Sequence, residues 1–319
     1  MHNHPRTPIE TDWKRAPSVL EGAKTLRLSP EGCDLDYWFE AVAGKMLRGV
    51  VRGHPPDCET PQYMKRPGPL RDAMIEEFSF RALAEERATR AIALLLPIAP
   101  DSLSLEFFIT QIVDEARHAS AFRGHLLDLG LSPDQVRSLL DELSLGPARA
   151  ILDPLEEFAR SVLAGPSAFL GGVVVLTILV EGVLAPAAEL SERKWKLLDP
   201  AAAGIERGAA MDELRHLTVA SEFVRRAVLK DPGWKPMLLD IVQRGFALWQ
   251  RLPMKELLFR RESLFQSGMR DHAVALKGYE IWSDKLLLDS TPEERMGAAA
   301  AWSETTQRAR LQYMELLTG

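Results

Sequence analysis

Two pentapeptides in this 319-residue chain carry the residue types of a metal site: Asp114-Glu115-Ala116-Arg117-His118 and Asp212-Glu213-Leu214-Arg215-His216. Each contains Glu-x-x-His. In a helix of 3.6 residues per turn, positions three apart share a face, so Glu115 with His118 and Glu213 with His216 each aim a carboxylate and an imidazole at one point. The Asp of each copy sits four residues before the His, at the flank of that face, where it can orient an imidazole on the partner helix. An outer carboxylate of this kind fixes which ring nitrogen keeps its proton. One Glu-x-x-His is common in helical proteins; two copies identical at four of five positions call for a shared explanation.

Two such pairs need further acids to close a two-metal site, and each has a candidate upstream. Glu85 belongs to the stripe Ile75, Phe78, Ala82, Glu85, Thr89, Ile92, Leu96, apolar apart from one Thr, and so points inward, whereas Glu86 shares its side with Ser79 and Arg90. Glu181 is the only charged residue between Ser161 and Ala188. A carboxylate in so apolar a segment costs several kcal/mol unless something compensates it, and a metal ion does so most economically. Glu189, eight residues on and on roughly the same face, is the reserve ligand. Glu85 precedes Glu115 by 30 residues and Glu181 precedes Glu213 by 32, in each case room for an antiparallel helix pair.

The elements that must position these groups are helices. The first runs from about Leu70 to Leu96 and stops before Pro97 and Pro100. The second starts near Asp101 or Ser102 and ends at Gly130, with Phe108, Gln111, Ile112, Glu115, His118, Ala119, Phe122 and Leu126 facing in. A third covers about Ala168 to Glu192 and a fourth about Pro200 to Leu229. Ser132-Pro133 and Asp153-Pro154 read as starts of short helices between the pairs. An earlier helix is expected over Asp34 to Val51, with Trp38, Phe39, Val42 and Met46 as its apolar face. Pro55, Pro56, Pro61, Pro67 and Pro69 make the next stretch a loop. After Pro232 the chain reads as helical to its end, with Thr291-Pro292-Glu293-Glu294 as a capped start. The expected fold is therefore all-α: an extension over 1–69, a four-helix bundle over 70–230, and further helices over 231–319 packed on it as one structural unit. Helix phase puts Phe78, Gln111, Ile112, Phe122, Thr177, Ile178 and Leu184 around the substrate pocket.

Composition narrows this little. The chain is 46% hydrophobic and 26% charged, ordinary for a globular protein, and its net charge of -6 argues against a general nucleic-acid binder. Residues 162–190 are apolar enough to cross a bilayer, but Gly165-Pro166, Gly171-Gly172 and Glu181 favour a buried helix over a membrane span. With two cysteines, Cys33 and Cys58, and a polar start, the expectation is a cytoplasmic protein with reduced thiols. No Gly-rich phosphate loop, CxxC or Ser-His-Asp arrangement stands out.

The paired Asp-Glu-x-Arg-His motifs, each with a buried Glu about 30 positions upstream, resemble the ferritin-like carboxylate-bridged di-iron oxygenase superfamily over about residues 70–230. The stretches Arg81-Ala82-Leu83-Ala84-Glu85-Glu86 and Phe107-Phe108-Ile109-Thr110-Gln111 are most similar to the di-iron N-oxygenases of natural-product biosynthesis. The resemblance implies that Glu85, Glu115, His118, Glu181, Glu213 and His216 hold two irons, with manganese an alternative, and that Asp114, Arg117, Asp212 and Arg215 surround them. It further implies O2 as co-substrate and oxidation of a small molecule in an apolar pocket, with N-oxygenation of an amine or hydroxylamine first. C–H hydroxylation or desaturation is the alternative, and a ferritin-like ferroxidase a more distant one.

Departures from relatives narrow the choice. Phe122 stands where ribonucleotide reductase small subunits carry a radical Tyr, Ala209 where the best-known N-oxygenases add a third His, and Ala185 where multicomponent monooxygenases often have a Thr. A compact oxygenase without flavin or iron–sulfur motifs implies an external electron donor, a ferredoxin or flavin reductase. The C-terminal helices, with Trp234, Trp249, Trp282 and Trp302 in core or interface, suggest a homodimer.

Overall fold

The computed structural model of the chain describes residues 16–47 and 52–317, and these are predominantly helical with one short β-hairpin. α1 (Val19–Thr25) and α2 (Leu35–Tyr37), the latter continuing as a π-helix over Trp38–Leu47, precede the long helices. The Met46 side chain and Val51, both part of the helix expected there, lie outside the described residues.

Four long segments follow from local signals. α3 (Pro69–Ile92) begins with Pro at its first position and tightens into a 3₁₀ turn, Ala93–Ile98, where Pro97 ends it. α4 (Ser102–Asp128) opens on a capping box between Asp101 and Ser104 and is followed by Gly130 at φ +89°. α9 (Pro200–Lys230) is capped by Asp199. The segment between them departs from expectation. Instead of one regular helix, α7 (Ala168–Val174) passes into a π-helix over Val175–Glu181 and then α8 (Gly182–Trp195). A π turn spends an extra residue, so every side chain beyond it is rotated relative to a 3.6-residue phase.

Of the connecting helices, α5 (Pro133–Leu145) starts at Ser132 as its capping box requires. α6 (Arg149–Leu163) starts before the expected Asp153-Pro154 and takes Pro154 inside, because Asp153 is drawn to Arg87 at 2.8 Å and Arg149 at 3.1 Å rather than capping a helix. α10 (Trp234–Trp249) and α11 (Met254–Met269) follow α9. The chain is then not helical to its end: Gly278 and Asp284 take positive φ, and β1 (Glu280–Trp282) pairs antiparallel with β2 (Lys285–Leu286) before α12 (Pro292–Tyr313). α12 carries the expected Thr291/Glu294 capping box.

α3 lies along α4, α8 along α9, and α4 packs on α9; α12 covers α8, α11 covers α3, and α10 covers the π segment. Residues 168–195 are long and apolar enough to cross a membrane, and 67% of their most apolar window is buried within the protein. Two apolar cores result. Phe107 and Phe108 of α4, Val173 to Ile178, and Val219 to Val228 of α9 belong to one, whereas Phe122 and Leu126, Leu190 and Trp195, and Ala202 to Ala209 belong to the other. Along all three helical segments the acidic and imidazole residues fall between the two cores.

Candidate metal centre

Glu85, Glu115, His118, Glu181, Glu213 and His216 converge between those cores, none more than 4% exposed. They form two overlapping groups. Glu85, Glu115, His118 and Glu213 offer ligand atoms within 4.8 Å of one another, and so do Glu115, Glu181, Glu213 and His216. Glu115 and Glu213 belong to both groups. Glu86, by contrast, faces out and pairs with Arg90. Glu189 is buried elsewhere: it accepts the Val19 N–H at the start of α1 and pairs with Arg193, so the reserve ligand serves as a cap.

The outer groups cross between the two motifs. His118 Nε2 lies 3.0 Å from Asp212 Oδ2, and His216 Nε2 lies 3.4 Å from Asp114 Oδ2. With Nε2–H donating to the carboxylate, Nδ1 of each ring presents its lone pair inward, 3.7 Å from Glu85 for His118 and 3.3 Å from Glu115 for His216. Arg215 Nη2 also lies 3.1 Å from His216 Nε2 and would require the opposite tautomer, but the same guanidinium nitrogen donates to Asp114, which leaves the ring proton for the carboxylate. Arg117 donates to Asp212. Trp38 Nε1 donates to Asp114, 3.1 Å from each oxygen. Trp38 thus does more than fill the expected apolar face: a buried indole N–H needs an acceptor, and that need is the signal in its residue type.

The electrostatics test whether a cation fits. Among the described residues, one oxygen of each of Glu85, Glu115, Glu181 and Glu213, and Nδ1 of both His118 and His216, is buried without a hydrogen bond. Six orphaned donor atoms around one point are costly in a protein interior unless a ligand takes them. Burial, then the charges of Glu213 and Glu85, pushes the Glu115 and Glu181 carboxyls well above the usual range. Burial and Glu85 push Glu213 up to about 8. Burial and mutual repulsion thus disfavour the charged forms of these acids, and a divalent ion between them would reverse that penalty. Burial lowers His216 to about 4 despite Asp114, leaving it neutral, as a ligand must be. Burial also opposes the charging of His118, but Asp212, Glu115 and Glu85 outweigh it and raise its pKa, so a metal there displaces a proton. Burial likewise opposes ionisation of Asp114, yet Arg215, His216 and Arg117 hold its carboxyl far below the usual range. The donor set, two imidazoles and four carboxylates, fits a pair of first-row divalent ions.

The π segment delivers Glu181, and residues outside the expected bundle hold it. Gln111 donates to Glu181. Trp249 Nε1 donates to the Leu179 carbonyl and Gln307 Nε2 to the Ile178 carbonyl, both at 2.7 Å. A π-helix loosens the regular backbone ladder, and these two side chains, from α10 and α12, serve the carbonyls just before the ligand. A Cβ on Gly182 would lie 2.9 Å from Gln307 Cγ, so the glycine admits that approach. The C-terminal helices, in which the sequence shows no chemical motif, thus contribute to the site.

The main cavity, about 900 Å³, lies between α3 and the π–α8 segment and is walled by α6, α10, α11 and α12. Glu85 lines it. Of the seven residues placed around the pocket by helix phase, Leu184 lines this cavity. Phe78 and Phe122 pack edge to face in the core, Gln111 serves Glu181, and Thr177 donates to the Val173 carbonyl. Ile178 is fully buried, and Ile112 packs against the same apolar core. The π turn accounts for Thr177 and Ile178, since a constant 100° per residue does not hold across it.

No protein-family model matches the chain, and no curated protein matches it.

Proposed function

We propose that the chain is a ferritin-like, non-heme di-iron oxygenase that uses O2 to oxidise a small molecule bound in the cavity beside Glu85. The observation that carries this reading is the pair of overlapping ligand groups sharing Glu115 and Glu213, with all six donor atoms buried and unpartnered. Two irons held there would supply O2 activation, for which no side chain of the set has the redox chemistry.

The chain's own residues supply the rest. Four carboxylates balance the charge of two divalent ions, and Asp114 and Asp212 hold the imidazoles in the ligating tautomer. The apolar cores above and below exclude water. The cavity reaches the centre at Glu85, on the side of the His118 group. Oxidation at an amine nitrogen is the first reaction to try, on the strength of the sequence resemblance; electrons would come from a separate ferredoxin or flavin reductase.

The test is metal content with Mössbauer spectra of protein made in iron-57 medium, recorded reduced and after exposure to O2. About two irons per chain with a coupled di-ferric signal support the reading; a single iron, none, or tightly held zinc removes it.

A further inference from the structure

The cavity is walled mainly by apolar side chains, and charged ones gather where α3, α8, α11 and α12 meet. There Glu77 of α3, Lys194 of α8, Arg261 and Glu262 of α11, and Arg295 of α12 all line it. Three cations face two carboxylates here, and Arg81, which also lines the cavity, faces a third, Glu206, at 3.4 Å. Lys194 lies 2.6 Å from Glu262 and 3.2 Å from Glu77, and Arg295 lies 2.6 Å from Glu262 while also donating to Ser290 and Gln266. Trp195 Nε1 donates to Glu77 at 3.0 Å. These groups are satisfied. Arg261 is not: it stands 3.7 Å from Glu77 and 3.9 Å from Glu262, both beyond hydrogen-bond length, and its Nε is buried with no acceptor among the described residues. The cluster therefore ends in a surplus positive charge whose guanidinium still has donors to give, at the wall of an apolar chamber.

The distance from that charge to the metal centre follows from α3. Glu77, beside Arg261, and Glu85 are eight residues apart on one helix, about 12 Å at 1.5 Å per residue. Between them the wall is lined by Phe80, Ala84, Val183, Leu184 and Ala187, together with Arg81, whose guanidinium is engaged by Glu206 and the Leu184 carbonyl, each at 3.4 Å. An extended chain covers about 1.2 Å per backbone bond, so about ten bonds span the gap.

We propose that the cavity takes an elongated aliphatic substrate with a terminal carboxylate, which pairs with Arg261 and lays its other end beside Glu85. This assignment rests on the oxygenase reading for its purpose but not for its test, which reads binding rather than turnover. Decanoate, decanol and decylamine are titrated into the full-length protein by calorimetry, with iron determined on the same sample. Decanoate binds at least about tenfold more tightly than decanol, and decylamine no better than decanol. In Arg261→Gln the ratio of decanoate to decanol affinity falls to about one, Arg261→Lys keeps most of it, and Ala88→Trp, which fills the wall one turn from Glu85, weakens both probes.

Equal affinities for the three probes in the wild type overturn the proposal. So does a decanoate preference that survives Arg261→Gln, which would place the carboxylate on the metal instead. Iron-free protein that keeps the decanoate preference refutes the oxygenase reading alone; iron-loaded protein without the preference refutes the substrate class alone.

Discussion

The two copies of Asp-Glu-x-Arg-His occupy equivalent places on α4 and α9, yet the halves of the site they anchor are built differently. In the first half, Glu85 rides on a regular helix that packs along α4 for most of its length. In the second, Glu181 ends a π segment whose carbonyls are held by Trp249 and Gln307 from outside the bundle, and Gln111 reaches across from α4 to the carboxylate itself. One acid is placed by the periodicity of its own helix, and the other sits on a segment whose carbonyls accept from side chains up to 129 positions away in sequence.

The largest effects should erase the comparison. Glu115→Ala or Glu213→Ala removes a carboxylate common to both groups and should take iron from about two per chain to near none, whereas Glu85→Ala should spare one iron. Metal analysis decides; a Glu115→Ala protein that keeps its full complement would show that the shared position is not bridging. Next comes the asymmetry itself. Gln307→Leu leaves the Ile178 carbonyl buried and unpaired, at about 1–3 kcal/mol in stability. It should also loosen the second iron about 10–100-fold and leave the first unchanged. Chelator titration followed by Mössbauer spectroscopy separates the two irons, and equal weakening of both would break the distinction.

Trp38→Phe should act more weakly on the same half, because Asp114 keeps Arg215 and Arg117 when it loses the indole. A loss of about 1–2 kcal/mol in thermal or denaturant unfolding is expected.

The smallest effect concerns Glu206 of α9, whose carboxylate lies 3.4 Å from Arg81, one turn before Glu85. Burial lifts its pKa to about 7 against the pull of Arg81. In the unfolded chain the carboxyl ionises near 4.5, so between about 4.5 and 7 the folded state binds the extra proton, and this contribution to stability falls as pH rises. Glu206→Gln should flatten the pH–stability slope in that window relative to wild type, as unfolding curves at several pH values would show. An unchanged slope would mean that Arg81 keeps Glu206 ionised and that the first half is tied to α9 by a full ion pair.

The same contrast explains what was legible in the sequence. The convergence of the six acidic and imidazole residues was, because the period of a regular helix converts spacing into direction, and because a lone Glu among apolar residues has few inexpensive alternatives. All four residues placed around the ligands, Asp114, Arg117, Asp212 and Arg215, lie at the centre for the same reason. The pocket was not. Thr177 and Ile178 lie inside the π turn, where the assumed phase fails, and the cavity wall comes from α6, α10, α11 and α12, whose approach no local pattern encodes. Gln307 and Trp249 were equally invisible, since their hydrogen bonds answer a backbone irregularity that has no residue signature of its own. Pro154 shows the converse error: a good local start signal gave way to the pull of Arg87 and Arg149 on Asp153.

The crossing of the outer carboxylates has a further consequence, for how the protein assembles. Asp114 serves the imidazole of α9 and Asp212 that of α4, and each ligand group borrows a glutamate from the opposite helix. Neither helical hairpin owns a finished binding site. If the chain were cut in the connection between them, each fragment would be a poor chelator alone, and tight metal uptake would return only when the two recombined. Iron capture in such a reconstitution would clock the docking of the halves, and the ion would act as the clasp that makes the docking hard to reverse.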